Sequence, residues 1–239
     1  MYDILNMARI ADDVYNDASE SSMLRDWHTR QVQDLYENDN FRARAYWRGA
    51  SGKIACVCFR GTANMKDAVY ADLGGIGLGL NALAMKLNDA VEFTAGVARQ
   101  AEIVWLTGHS LGGAFVQMVG AILGLPGITW NAPGALALVN QMSSNPVRAF
   151  VGGAGSAGVS FLASLATLGV GGQIVTALNK IAAAGGDEAF APIANFRGDM
   201  DPVSLFGSHV GAPLQTILCP TQHPHPHSMI PIIRALELR

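Results

Sequence analysis

The chain carries little charge: 16 Lys and Arg stand against 19 Asp and Glu, 15% of its residues, for a net −3 at pH 7. No basic run of five or more occurs, and the pI is about 6.0. A surface of this kind lacks the electrostatic footprint of a nucleic-acid binder, so no nucleic acid is expected as the main partner. Cysteine is scarce too: Cys56, Cys58 and Cys219 are the only three, too few for a disulfide framework. Cys56 and Cys58 lie two apart in Ile54-Ala-Cys-Val-Cys-Phe59, so on a strand they share a face, where neighbours are poorly placed to bridge. No second ligand pair stands at zinc spacing, and the two thiols read as core. A cleaved leader is not legible either. Asp3 stands where a positive n-region belongs, and Asp12-Asp13 follow before any long apolar stretch. The expectation is a cytoplasmic protein, or one exported by a signal-independent route.

What is present is apolar: half of the 239 residues, enough for one sizeable core without staples. Ile4, Leu5, Ala8 and Ala11 recur at helical spacing, and the rest of the first forty residues reads as polar loop. Residues 42–49 (RARAYWRG) alternate as a half-exposed strand does. Ala50-Ser-Gly52 supplies a turn, and Lys53 to Phe59 returns as a buried strand. Ile103-Val-Trp-Leu-Thr107 is a continuous apolar run, as in a central parallel strand. Leu111 to Leu123 is apolar nearly all round, hence a buried helix. Ile128-Thr-Trp130 makes the next strand, closed by Asn131-Ala-Pro-Gly134, and Pro192–Phe196 and Leu214–Leu218 are further candidates. Strand, helix, strand in succession predicts an α/β fold, one domain over 1–239, with a mainly parallel sheet flanked by helices.

Two stretches stand apart. Gly74-Gly-Ile-Gly-Leu-Gly79 has no preceding strand and no Lys-Ser/Thr, so it is not a phosphate loop. From Ala149 to Asn179 no charge occurs and seven glycines interrupt the run. The length suits a membrane span, but paired glycines at 152–153 and 171–172 break it into two shorter helices. An apolar helical insertion over about 146–186 is the expectation, with a membrane-inserting element as the alternative.

Chemistry concentrates at Gly108-His-Ser-Leu-Gly112. A serine between two glycines, after an apolar strand and before a long helix, sits on a sharp turn that projects its hydroxyl at the strand's end. The helix start adds an amide, that of Leu111, and a dipole facing the place where negative charge develops. A hydroxyl needs a base to act as a nucleophile. His109 neighbours Ser110 and points elsewhere, and His28 lies in the polar N-terminal region. His209, His223, His225 and His227 remain. The acid follows a strand between serine and base in chain order, and Asp199 and Asp201 are both placed for it. Asp201 precedes Pro202, which restrains the loop.

The sequence resembles the class 3 lipases, the fungal triacylglycerol-lipase group, and more so their bacterial relatives. Four motifs occur in register: Phe59-Arg-Gly-Thr62, Gly108-His-Ser-Leu-Gly-Gly113, Asn131-Ala-Pro-Gly134, and Asp201-Pro-Val-Ser204 with a later histidine. The resemblance implies an α/β-hydrolase fold and a triad of Ser110, Asp201 and a C-terminal histidine. His227, just before a helix that Ser228 can cap, is favoured over His223 and His225. It also implies an oxyanion hole from the Thr62 and Leu111 amides, a lid-like segment over about 63–95, no metal and no cofactor. Asp199 is then a loop carboxylate binding nearby amides, and His209 ties down the loop after Asp201. The expected function is hydrolysis of lipid esters, of lipase or phospholipase A type, at a membrane surface. The alternatives are a short-chain carboxylesterase or thioesterase using the same residues, and a membrane-inserting protein or toxin acting through 149–184.

Overall fold

The computed structural model describes residues 4–19, 23–30, 34–38, 41–61, 76–136, 192–220 and 225–238. Among the described residues the backbone is an eight-stranded sheet. Helix α1 (Ile4–Asp13) leads into two short strands, β1 (Trp27–His28) and β2 (Leu35–Asn38), then β3 (Phe41–Arg48) and β4 (Ile54–Phe59). Helix α2 (Ile76–Ala98), β5 (Ile103–His109), α3 (Leu111–Leu123) and β6 (Gly127–Trp130) follow. Strand β7 (Ile193–Gly198), a 3₁₀ turn (Val203–Leu205), β8 (Gln215–Ile217) and α4 (Met229–Glu237) complete the order. The spatial order is β1-β3-β4-β5-β6-β7-β8, with β2 also paired to β3. Strands β4 to β8 run parallel, and β1, β2 and β4 pair antiparallel with β3. This mainly parallel sheet with helices on both faces is the expected α/β-hydrolase architecture.

Alternation along the strands divides the core in two. Ala55, Val57 and Phe59 of β4, with Val104 and Leu106 of β5, face α2 and α3. Cys56 and Cys58, with Ile128 and Trp130, face α1 and α4. Both cysteines are buried and free, and burial raises both thiols. They are packing residues, as read from the sequence. From Leu87 to Val97, helix α2 contributes buried side chains to the first core.

Strand β3 departs from the expectation of a half-exposed strand: Phe41 to Trp47 are all buried. Arg42 and Arg44 are covered because the end of α1 lies over them. Arg44 donates to the carbonyls of Asp13, Asn16 and Asp17 and pairs with the Asp13 carboxylate at 3.5 Å. Arg42 makes a two-pronged pair with Glu37 and reaches the carbonyls of Val14, Tyr15 and Asn16. Guanidinium forks satisfy the carbonyls a helix leaves unpaired at its C-terminus, where the dipole favours positive charge. Alternation had marked these positions as polar; they are polar toward protein rather than water. Strands β1 and β2 also lie in a region expected to be loop. Two and four residues long, they exist because β3 offers an edge.

The apolar insertion at about 146–186 and residues 62–75 lie outside the described residues. Among the described residues, no helix is long and apolar enough to cross a membrane.

Candidate active site

The turn from β5 to α3 presents Ser110. Its backbone has φ 57° and ψ −129°, a conformation rarely adopted by a side-chain-bearing residue, held only because its surroundings leave no alternative. The glycines explain how. A Cβ on Gly108 would lie 2.5 Å from the Gly112 carbonyl oxygen, and one on Gly112 would lie 2.0 Å from the Phe59 carbonyl oxygen. Helix α3 therefore starts in contact with the ends of both β4 and β5. Ser110 occupies the N-cap position of α3, but its side chain makes no capping bond. The hydroxyl lies 2.8 Å from His227 Nε2 instead.

His227 completes a line to Asp201, with Nδ1 at 2.7 Å from Oδ1. Asp201 is buried, and it also accepts from the amides of Val203 and Ser204 at 3.3 and 2.9 Å. Burial raises a carboxyl pKa, but hydrogen bonds from His227 and Ser204 outweigh that here and hold Asp201 below its ordinary value. A carboxylate fixes the proton of His227 on Nδ1. Its Nε2 lone pair is thereby aimed at the serine hydroxyl.

Four further residues, Gly61, His109, Asn131 and Gln117, hold this line in place. Gly61, directly before Thr62, packs so close that a Cβ there would lie 3.0 Å from Ser110 Cβ. The His227 carbonyl accepts from His109 Nε2 at 2.6 Å and from Asn131 Nδ2 at 3.2 Å. Asn131, at φ 47°, also accepts the Gly198 amide on Oδ1 at 2.8 Å, tying β6 to the start of the Asp201 loop. Gln117 is the one polar side chain on a helix that otherwise reads as apolar. It bonds Pro133, Ala135 and Val210, joining the loop after β6 to that after β7.

The structure thus brings Ser110, His227 and Asp201 together, with the Leu111 amide at the first position of α3, where it has no acceptor within the helix. Thr62 and His223 lie outside the described residues. His225 is exposed. His209, lowered by burial, bonds the Ala132 carbonyl at 2.9 Å and so anchors the loop that follows Asp201. Asp199 accepts the Cys219 amide at 3.2 Å, the loop role read from the sequence. Ser228 takes the N-cap position of α4 without a side-chain capping bond, so the expected cap is positional only. Among the described residues, no group of three His, Cys, Asp or Glu is placed to hold a metal. Sequence reasoning missed Tyr15, Gln117 and Asn131 as parts of the site. Asn131 had a signal, since it stands in one of the four motifs, but was read only as a strand end.

Short stretches of the chain are similar to putative lipases ATG15. The identity is 54% over 33 residues with that of Candida glabrata, covering 14% of this chain and 6% of the relative. It is 46% over 39 residues with that of Eremothecium gossypii, covering 16% and 7%. The matched stretches therefore span a small part of those relatives. The lipase from Rhizopus microsporus var. chinensis is similar in structure, with a TM-score of 0.41 and 19% identity over 54% of this chain and 56% of that one. The model of the phospholipase-like family described as the Tle-like phospholipase domain matches residues 6–226, a span that contains Ser110 and Asp201. With nearly the whole chain matched, the protein belongs to the Tle-like phospholipase domain family.

Proposed function

We propose that this protein is a serine hydrolase that cleaves the carboxylic esters of lipids, as a lipase or phospholipase A, with Ser110 as nucleophile, His227 as base and Asp201 as acid. The observation that carries the proposal is the unbroken line Ser110 Oγ–His227 Nε2, 2.8 Å, and His227 Nδ1–Asp201 Oδ1, 2.7 Å, on a strained serine between two glycines.

As Oγ attacks the ester carbonyl, its proton passes to Nε2, and the Asp201 carboxylate stabilises the imidazolium that forms. The developing oxyanion is held by the Leu111 amide and, in this reading, by that of Thr62; the dipole of α3 points its positive end at the same place. The proton returns from His227 to the leaving alcohol. Water, activated by the same nitrogen, then releases the fatty acid. Neither metal nor cofactor enters these steps.

The lipid substrate class draws support from the family and from the rim beside Asp201, where Met200, Leu205 and Phe206 are 59%, 63% and 48% exposed. Large apolar side chains exposed within a few residues of Asp201 favour an apolar surface over water, which fits a substrate presented by a membrane. Of the expected lid-like segment, residues 63–75 lie outside the described residues, and Leu87, Ala90 and Val91 are buried in the core.

The test is a panel of p-nitrophenyl esters of increasing chain length alongside phospholipid vesicles. A lipid hydrolase prefers long chains and releases fatty acid from vesicles, whereas a maximum at acetate would refute the lipid assignment. Vesicle leakage that survives Ser110→Ala would favour the membrane-inserting alternative.

A further inference from the structure

We infer that Tyr15 and His109 are positioning residues that lock the loop preceding Thr62 to the backbone of the catalytic base through one directed hydrogen-bond chain. The inference rests on the proposed triad. The Gly61 amide donates to Tyr15 Oη at 3.1 Å, Tyr15 Oη lies 3.0 Å from His109 Nδ1, and His109 Nε2 lies 2.6 Å from the His227 carbonyl oxygen.

Both ends of the chain are fixed by chemistry. An amide N–H only donates and a carbonyl only accepts. His109 must therefore carry its proton on Nε2. Nδ1 is then free to accept the Tyr15 hydroxyl proton, and the Tyr15 oxygen is free to accept from Gly61. One tautomer of a neutral imidazole satisfies every link, and each donor is used once. Burial, the largest influence on His109, lowers its pKa to about 3, which keeps the ring neutral under working conditions. Tyr15 is likewise held as the phenol by burial.

The chain connects the parts whose spacing matters. A Cβ on Gly61 would lie 2.6 Å from Tyr15 Oη and 3.0 Å from Ser110 Cβ, so the tyrosine hydroxyl holds the loop against the nucleophile. Tyr15 is itself held, because Arg42 Nη1 reaches the carbonyls of Val14, Tyr15 and Asn16 at 3.4, 3.5 and 3.1 Å. At the other end, the His227 backbone is gripped while its ring remains free to exchange the proton. Under the proposed role of the Thr62 amide, a shift of Gly61 away from Ser110 displaces an oxyanion donor, which acts in the transition state and not on bound substrate. Its loss therefore lowers kcat and leaves KM alone.

The experiment uses the full chain, p-nitrophenyl butyrate and thermal melting, with Tyr15→Phe, His109→Gln, their double variant and Ser110→Ala. Phe removes the hydroxyl. Gln keeps a donor toward the His227 carbonyl but gives up the acceptor for Tyr15, so both break the same chain. Each single variant should lower kcat roughly 10- to 100-fold, part of the 10²–10³ that a missing oxyanion donor costs, with KM within about 2-fold. The double variant should be no slower than the slower single one, since links of one chain are not additive. Unchanged kcat in both singles while Ser110→Ala is inactive would overturn the inference alone. So would losses that multiply in the double variant, or that follow KM. Activity retained by Ser110→Ala would overturn the triad on which the inference rests. Should Tyr15→Phe fold poorly, His109→Gln alone decides: the kcat loss supports the chain, and wild-type kcat contradicts it.

Discussion

A carboxyl group without solvent contact ordinarily keeps its proton, yet Asp201 is held below its ordinary pKa because hydrogen bonds from His227 and Ser204 outweigh its burial. Two predictions follow at this residue. Asp201→Asn can still accept one hydrogen bond, but the amide favours the wrong tautomer of His227, and kcat should fall by about 10³–10⁴ in a steady-state ester assay. The second concerns stability. A depressed carboxyl pKa stabilises the folded state above the unfolded value, about 3.9, and that contribution is lost as pH falls through the folded value. The acid limb of wild-type melting temperature against pH should thus be steeper below about pH 4 than that of Asp201→Asn. At this scale the sequence was informative wherever chemistry restricts the choice. Ser110 stands out because a strained turn between two glycines requires particular residues, whereas Asp201 and His227 were singled out among several acids and histidines by the lipase resemblance. Tyr15 was not legible. It lies 94 positions from His109, and a single tyrosine after a helix carries no pattern that points to a distant loop.

Among the elements, the junction of β4, β5 and α3 sets the site's geometry. Gly112 is required there because the Phe59 carbonyl oxygen occupies the space a Cβ would take. Backbone cannot yield as a flexible side chain does, so Gly112→Ala should push α3 from β4. The expected cost is roughly 1–3 kcal/mol by denaturant unfolding, together with loss of ester hydrolysis. The α1–β3 junction is held by charge. Arg44→Met would remove the cation paired with the buried Asp13 carboxylate, which keeps its bond from the Tyr46 hydroxyl, for a loss of roughly 3–5 kcal/mol measured the same way. These arginines also show where periodicity misleads. The alternation in β3 correctly gave a strand, but polar positions were equated with solvent, and the covering element lies about thirty residues away in sequence. Strand β5 and helix α3 were legible because their apolar runs are long and bounded, and the short β6 because Asn131-Ala-Pro-Gly134 closes it. Strands β1 and β2 are too short to carry a period, and pairing with β3 alone makes them strands.

For the whole molecule, one sheet with a core on each face carries Ser110 after β5 and the Asp201 loop after β7, on either side of β6, and α4 begins two residues after His227. Buried His109 and half-buried His209 give the fold a pH dependence of predictable sign. His109 and His209 are both lowered by burial, His109 to about 3 from an ordinary 6.5. Below the ordinary value the unfolded chain takes up protons that the folded chain refuses. Stability is therefore full above about pH 6.5 and declines as pH falls toward 3. His109→Gln should flatten that decline in urea unfolding measured across the range.

The central claim, that Ser110 cleaves lipid esters, is tested most directly by fatty-acid release from phospholipid vesicles, comparing the wild-type chain with Ser110→Ala. The account predicts release by the first and none by the second, with both proteins folded to the same melting temperature. Equal release by both would contradict Ser110 as the nucleophile, and no release by a folded wild-type chain would contradict phospholipid vesicles as a substrate.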